Sequence, residues 1–448
     1  MPSSVATYSI GKTFHGKKVL IMGLGRLGGG EGVARFFVGE GAKVTVTDLK
    51  NEEELKDTLQ RLRDLPISYV LGKHRPEDFR DQDLVIRNPD VPRDSPFLEI
   101  ARKNKIPVEV DESLFLKLCP VPVIGVTGTR GKTTTTTLIG KILEEAGHHT
   151  LLGGNLNGVA TLSLLRKITP QTKVVLELSS WQLQSLDDNK LSPHIAVVTN
   201  IYPDHLNRYR TMDDYVNDKT AVFKYQKKDD FLVLNQESEI TRSFAKLTKS
   251  QVVWFKKEDW PTEWHLKIPG EHNRENAAAV LAVGKILGVD EEIIKKTMGD
   301  FGGVPYRLEV IRKLNGVTYV NDTTSTTPIA GVMALRVYSG KPIILIAGGN
   351  SKNLDLTEFT GEIAKVVKAV VLLEGTATDE LEEKLKAQGS KLKILGRFDN
   401  FEKAILAAQK VAKPDNIVLL SPGCTSFGMF ENEFDRGEQF NRIVRSLT

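Results

Sequence analysis

Cysteine is nearly absent: Cys119 and Cys424 are the two in 448 residues. Two cysteines cannot build a disulfide framework, so a reducing compartment is expected. Long apolar runs are missing as well. Stretches such as 342–347 fall far short of the ~20 residues of a membrane helix. Residues 1–14 are polar and lack the apolar centre of a signal peptide, which points to a cytoplasmic chain with no membrane insertion. No sign of charge dominates. The 61 basic residues face 57 acidic ones, and the net charge of +4 is spread along the chain, giving no case for nucleic acid as a partner. No repeat of about 20 to 50 residues and no low-complexity tract occurs, which excludes a solenoid. What is present is ordinary soluble composition, 40% hydrophobic and 26% charged. At ~150 residues per domain, the length asks for two or three domains, each able to bury its own core.

Short β-branched runs followed by helical patterns recur through the chain, at 18–22, 43–47, 84–87, 121–126, 173–178, 195–200, 231–235, 317–321, 343–347, 369–373, 393–395 and 417–420. Near-continuous apolar runs are what parallel strands buried on both faces look like, with helices as crossovers. The fold class is therefore α/β. Glycine-rich loops follow strands near Gly23, Gly128 and Gly348. Proline-containing stretches at 119–122 and 302–305 read as linkers. Three units are expected: 1–119, 120–304 and 305–448.

The most specific motif is Gly125-Val126-Thr127-Gly128-Thr129-Arg130-Gly131-Lys132-Thr133-Thr134, between a strand and a helical stretch. Its glycines let backbone N–H groups face phosphates. Lys132 supplies a point charge, and the Thr133 hydroxyl can reach Mg²⁺. The common phosphate-loop pattern has its first glycine where this chain has Val126; here it stands at Gly128. The bland alternative is a glycine-rich turn before a helix.

A nucleotide site of this kind needs further oxygen ligands for Mg²⁺. Glu177 ends a strand, where a carboxylate points into the ligand crevice, although a helix-capping role is also open. His205, in Asp204-His205-Leu206-Asn207-Arg208, follows the run 195–200 in the same manner and is expected at the same sheet edge as Glu177 and Thr133. Lys219 lies on a predicted helix, and the sequence alone assigns it nothing. Asn273 and Asn276 share one face at the start of an Ala-rich helix; they are either caps or contacts to adenine or ribose.

The outer units carry their own loops. Gly23-Leu24-Gly25-Arg26-Leu27-Gly28 follows a strand, and Asp48 closes the next one. This is the dinucleotide fingerprint with its ribose-binding acid, and by itself it describes a nicotinamide dehydrogenase. Any Rossmann-like unit that holds a diphosphate wants the same glycines. Gly29, Gly30 and Gly32 are expected to loosen this loop. The third unit has polar, small-residue loops after three strands: Asn321 to Pro328, Ala347 to Lys352, and Leu420 to Phe427. They fit a small anionic ligand, or ordinary turn chemistry. Cys424, with no base to name beside it, reads as a small core-like residue.

Together these motifs resemble the Mur ligase family, the ATP-dependent amide-forming enzymes of peptidoglycan precursor synthesis, over nearly the whole chain. The loop from Gly128 to Thr134 is similar to the family's own variant, and Gly270 to Asn276 is similar to its His-Asn helix opening. Leu176-Glu177-Leu178-Ser179-Ser180-Trp181-Gln182-Leu183, Asn321-Asp322, Gly348-Gly349 with Lys352, and Ser421 to Ser426 look most like the branch that adds D-glutamate.

The resemblance implies a Rossmann-like first domain, a central P-loop ATPase domain with a mostly parallel sheet, and a Rossmann-like third domain, in a monomer. It implies that ATP phosphorylates the alanine carboxylate of UDP-N-acetylmuramoyl-L-alanine and that the glutamate amine attacks the acyl phosphate. By the same resemblance, Gly128, Thr129, Arg130, Gly131, Lys132, Thr133, Thr134, Asn276, Arg307 and Asp322 bind ATP. Two Mg²⁺ ions are implied, with Thr133, Glu177, His205 and Lys219 as ligands; Lys219 occupies the position of the family's carbamylated lysine. Gly23, Gly25, Arg26, Leu27, Asp48, Lys50 and Asn155 face the UDP-sugar, and Thr326, Lys352 and Ser426 surround the amino acid.

The chain departs from the family in three places. The segment from Thr323 to Thr327 lacks a lysine, Tyr306 rather than histidine precedes Arg307, and Glu433 beside Phe434 stands where an aromatic is usual. All three sit around the amino-acid pocket, so a related ligase adding another amino acid, for example L-glutamate, stays open. A folylpolyglutamate synthase lacks the first unit. A dehydrogenase leaves the phosphate loop unexplained, and a non-catalytic nucleotide sensor is the remaining alternative.

Overall fold

The computed structural model describes residues 13–26, 28–156, 160–205, 208–389, 392–426 and 428–448. Leu27, named above for the UDP-sugar, lies outside the described residues. The strands form three sheets.

In the first sheet β1 (Lys18–Met22), β2 (Lys43–Asp48), β3 (Ile67–Leu71), β4 (Leu84–Arg87) and β5 (Val108–Glu109) run parallel in the order β3-β2-β1-β4-β5. In the second, β6 (Val123–Thr127), β7 (Thr150–Gly154), β8 (Lys173–Glu177), β9 (Ile195–Val198), β10 (Phe231–Asn235) and β11 (Gln251–Phe255) run parallel in the order β11-β10-β9-β6-β8-β7. The third holds β12 (Glu309–Leu314), β13 (Val317–Asn321), β14 (Ile343–Gly348), β15 (Val367–Leu373), β16 (Lys393–Phe398) and β17 (Ile417–Leu420), in the order β12-β13-β17-β14-β15-β16. It is mixed: β12 pairs antiparallel with β13, and the other strands are parallel. The α/β class and the mostly parallel sheets thus stand as expected.

Strand alternation explains the continuous apolar runs. In β14, Ile344 and Ile346 enter one buried cluster with Val418 and Val371, while Ile343, Leu345 and Ala347 enter another with Leu419 and Val370. Successive side chains point to opposite faces, and both faces are covered, so every position is apolar. The order of strands in the first two sheets reverses at β1 and at β6. The two glycine-rich loops follow these strands, at the switch points where doubly wound sheets bind ligands.

By contacts the chain forms two compact units. One comprises Met1–Ile201, Asp213–Asp259 and Ala277–Thr297, and the other Tyr202–Met212, Trp260–Asn276 and Met298–Thr448. The first two sheets thus belong to one unit.

Within that unit the junction between the sheets is polar and closely fitted. Asp111 is buried, and its two carboxylate oxygens accept the amides of Thr161 and Leu162 at 2.6 and 2.8 Å. Glu40 pairs with Arg166 at 2.6 Å. Burial and the neighbouring Asp111 charge push Glu112 above the usual carboxylate range. The glycines expected to loosen the first loop instead open the helix Gly29–Gly39. A Cβ on Gly30 would overlap the Leu24 carbonyl, and one on Gly32 would overlap the Ala160 methyl. Hydrogen in place of a methyl lets this helix approach the second sheet's layer. Gly32→Val is expected to lower stability by about 1–3 kcal/mol through overpacking, read as a reduced melting temperature. An unchanged melt would show that this contact is slack.

Candidate active site

The loop after β6 is shaped by two glycines that L-residues could not replace. Gly128 has φ +146°, and a Cβ there would overlap the Thr199 hydroxyl; Gly131 has φ +82° and precedes the helix Lys132–Glu145. From the end of neighbouring β9, the Asn200 carbonyl accepts the Thr129 amide at 2.8 Å, and its side-chain oxygen accepts the Arg130 amide at 2.8 Å. The Thr199 hydroxyl donates to the Arg130 carbonyl. Thr134 is buried, and Thr133 and Lys132 are half-buried on the first turn. The helix N-terminus adds its partial positive charge.

Two ammonium groups meet on one oxygen. Lys132 Nζ donates to the Gly128 carbonyl at 3.1 Å and to the Thr129 carbonyl at 3.1 Å. Lys219 Nζ donates to the same Gly128 carbonyl at 2.9 Å. Lys219 is only 1% exposed and lies 4.8 Å from the centre of the Tyr215 ring, whose hydroxyl is 3.1 Å from that of Thr129. Sequence reasoning missed Thr199, Asn200 and Tyr215. Tyr215 had a signal: it precedes Lys219 by one helical turn on the same face.

Glu177 ends β8, in register with Val126 of β6. It is 2% exposed; Oε1 accepts the Asn155 amide nitrogen at 2.9 Å, and Oε2 has no hydrogen-bond partner among the described residues. A buried carboxylate oxygen without a partner is costly. It suits a hard cation such as Mg²⁺, which takes one or two carboxylates beside phosphate oxygens and waters. Among the described residues no group of three or more His, Cys, Asp and Glu could hold a metal, and a site of that kind needs none.

At the first sheet Asp48 shapes its loop. Oδ2 accepts the Leu24 and Gly25 amides at 2.8 and 3.2 Å, and Oδ1 accepts that of Lys50 at 2.9 Å. Gly23 and Gly25 have φ of +90° and +65°, Arg26 is exposed and Lys50 half-buried.

The second unit gathers the remaining residues in two groups. Loops after the adjacent strands β13, β17 and β14 are laced together: Ser421 donates to Asp322 Oδ2 at 2.9 Å, and Asn350 and Thr425 exchange backbone bonds at 3.0 and 2.9 Å. Lys352 and Thr326 line one small pocket with Asn350, Ser351 and Cys424, and Lys352 Nζ lies 3.4 Å from the Thr326 hydroxyl. Ser426 is buried, and its hydroxyl has no partner among the described residues. Arg307 stands between Tyr306 and Leu308, which have φ of +66° and +48°. That strained turn is held by the Leu308 amide donating to Asp322 Oδ1 at 3.2 Å. Phe434 packs edge-on against Tyr306, with ring centres 6.1 Å apart. The second group is Asn273 and Asn276: Asn276 donates to the Asn273 side-chain oxygen at 3.1 Å, and Asn273 to the Pro269 carbonyl at 2.7 Å. His205 also belongs to this unit, at φ +57°, its amide donating to Asp204 Oδ1 at 2.8 Å.

Burial pushes the Asp322 carboxyl up to about 7, against the Ser421 hydroxyl, the Leu308 amide and the Arg307 charge, which favour the ionised form. The folded state thus keeps a proton that the unfolded chain has released, so this group's contribution to stability falls as pH rises from about 4 through about 7. Asp322→Asn is expected to flatten that slope in thermal melts; an unchanged slope would place the proton elsewhere.

Known proteins share this architecture. Residues 17–109 match the MurD-like N-terminal domain of Mur ligases, 126–261 the Mur ligase middle domain, and 306–424 the Mur ligase glutamate ligase domain. The UDP-N-acetylmuramoylalanine–D-glutamate ligase of Roseiflexus sp. (strain RS-1) is 45% identical over 97% of this chain and 99% of its own. That of Pelotomaculum thermopropionicum is 36% identical over 97% and 99%. Among solved structures, UDP-N-acetylmuramate-alanine ligase MurC from Thermotoga maritima aligns with a TM-score of 0.64 at 22% identity, covering 96% of this chain and 99% of that one. The MurF ligase from Thermotoga maritima in complex with ADP gives 0.57 at 18% identity, covering 90% and 95%. At such identities these two speak for the fold. With all three domain types matched in order and relatives similar from end to end, the chain belongs to the Mur ligase family of ATP-dependent ligases.

Proposed function

We propose that this protein joins D-glutamate to the alanyl carboxylate of UDP-N-acetylmuramoyl-L-alanine, driven by ATP, in cytoplasmic peptidoglycan precursor synthesis. The Gly128 loop carries the reading, because Lys132 and a helix N-terminus concentrate positive charge at a glycine-rich turn that follows a switch-point strand. The full-length relatives' shared name supports the amino acid and the sugar nucleotide. The monomer is carried over from the family resemblance.

Residues 1–119 take the UDP end through the loop shaped by Asp48, 120–304 take ATP, and 305–448 take glutamate. The carboxylate oxygen of the alanyl group attacks the γ-phosphorus and ADP leaves. The glutamate amine then attacks the acyl carbon, phosphate leaves, and the amine gives up a proton as the amide forms. Such a reaction needs alignment and charge neutralisation rather than a protein nucleophile. Lys132 and Arg130 hold the terminal phosphates, with Asn276, Arg307 and Asp322 as further ATP contacts. Thr133 and Glu177 would hold a Mg²⁺ ion that neutralises phosphoryl oxygens. For a second ion the resemblance supplies His205 and Lys219, the latter as a carbamate. Burial of Lys219 beside Thr127 and Gly128 suits a group that must offer an oxygen rather than an exposed ammonium.

Phosphate release from ATP is expected to require UDP-N-acetylmuramoyl-L-alanine and D-glutamate together, with L-glutamate much poorer. Turnover indifferent to the sugar nucleotide would refute the ligase reading, and a preference for L-glutamate would replace the amino acid. Lys132→Ala is expected to lower kcat by about 10²-fold or more, as loss of a transition-state charge does. Lys219→Ala should collapse activity, with partial rescue by short carboxylic acids; wild-type activity in that variant would exclude the carbamate.

A further inference from the structure

Lys352 is already neutralised by a carboxylate of the protein itself. Its Nζ lies 3.0 Å from Asp204 Oδ1, with the two side chains 11% and 5% exposed. The same Oδ1 accepts the His205 amide at 2.8 Å. Asp204 is therefore the hinge of two functions: it pairs with a half-buried ammonium in the pocket of Thr326, Asn350 and Cys424, and it holds the turn in which His205 takes φ +57°.

A buried ammonium left without a counter-charge is strongly unfavourable. An amino-acid pocket built around a lysine therefore faces a difficulty when empty. Asp204 removes it with the same chemical group that the substrate brings. Exchange of one carboxylate for another keeps Lys352 paired throughout.

We propose that Asp204 is an internal stand-in for a carboxylate of the incoming amino acid, neutralising Lys352 in the empty enzyme and yielding it when glutamate binds. This rests on the reading of Lys352 as an amino-acid contact. Two consequences follow from the geometry. A small anion must compete with a tethered carboxylate, so simple acids bind weakly, and only a ligand with further contacts displaces Asp204. Lys352 and the His205 amide share Asp204 Oδ1, so occupancy of the pocket is felt at the His205 turn. Asp204 is thus a positioning residue for the second half of the reaction.

Asp204→Asn removes the charge and keeps an oxygen for the His205 amide. At saturating ATP and UDP-N-acetylmuramoyl-L-alanine, KM for D-glutamate is expected to fall about three- to tenfold, because the competing state no longer taxes binding. The inhibition constant of glutarate, which has the acids but no amine, should fall in parallel, with KM for ATP unchanged. Asp204→Ala should show the same fall in KM with a deeper loss of kcat, since the His205 amide loses its acceptor. Either variant that folds makes the test. A KM for glutamate that stays or rises in both overturns the stand-in. Lys352→Ala separates the two levels: a raised KM for glutamate there with no fall in the Asp204 variants refutes only the stand-in. An unchanged KM in Lys352→Ala refutes the assignment of Lys352 and the stand-in with it.

Discussion

Two ammonium groups on one carbonyl oxygen are the constraint around which the first unit is arranged. The Gly128 oxygen has two lone pairs and accepts both Lys132 and Lys219. Like charges brought this close repel, and the hydrogen bonds to Gly128, Thr129 and Thr127 hold them there. An anion at the loop, or the carbamate proposed for Lys219, relieves the repulsion. The rest follows from holding that peptide still. Gly128 must adopt φ +146° and lie against Thr199. Asn200 must tie down the next two amides. Lys219 must be delivered by a buried helical face that also buries Tyr215.

Four buried acids in this protein do structural work of one kind: they accept backbone amides and so set the path of loops. Asp48 does this for the glycine loop of the first sheet, Asp111 for the Thr161 turn, Asp322 for the Arg307 turn and Asp204 for the His205 turn. A carboxylate that receives amide hydrogens recovers part of the solvation lost on burial. The dehydrogenase reading of this loop gives way to the match of residues 17–109 with the MurD-like N-terminal domain. Glu177 differs from these four. One of its oxygens is left without a partner, and it sits beside the phosphate loop, where a cation would complete it.

Central strands were legible in the sequence, whereas among the edge strands of the three sheets only β16 was, through the run 393–395. β1, β4, β6, β8, β9, β13, β14 and β17 are covered on both faces and read as apolar runs. The strands missed, β3, β5, β7, β11 and β12, all lie at sheet edges. β3 is partly exposed throughout, and β12 has no fully buried residue. Half-exposed strands admit polar residues, and the run dissolves. Among site residues, the glycines, Lys132 and Glu177 stood out because a strand-end position and a local motif define them. Lys219 had only the resemblance to recommend it, since a lysine in a helix looks the same buried or solvated.

By itself the sequence determined the α/β class, the three glycine-rich loops and the phosphate-binding chemistry, because these depend on local patterns a few residues long. Tertiary structure alone decided which polar groups meet: Lys219 with Gly128, Asn200 with the phosphate loop, Asp322 with the Arg307 turn, and Asp204 with Lys352, 148 residues apart in the chain. Such pairs are set by strand order and burial, which bring distant loops to one sheet edge and make an unpartnered charge there too unfavourable to keep.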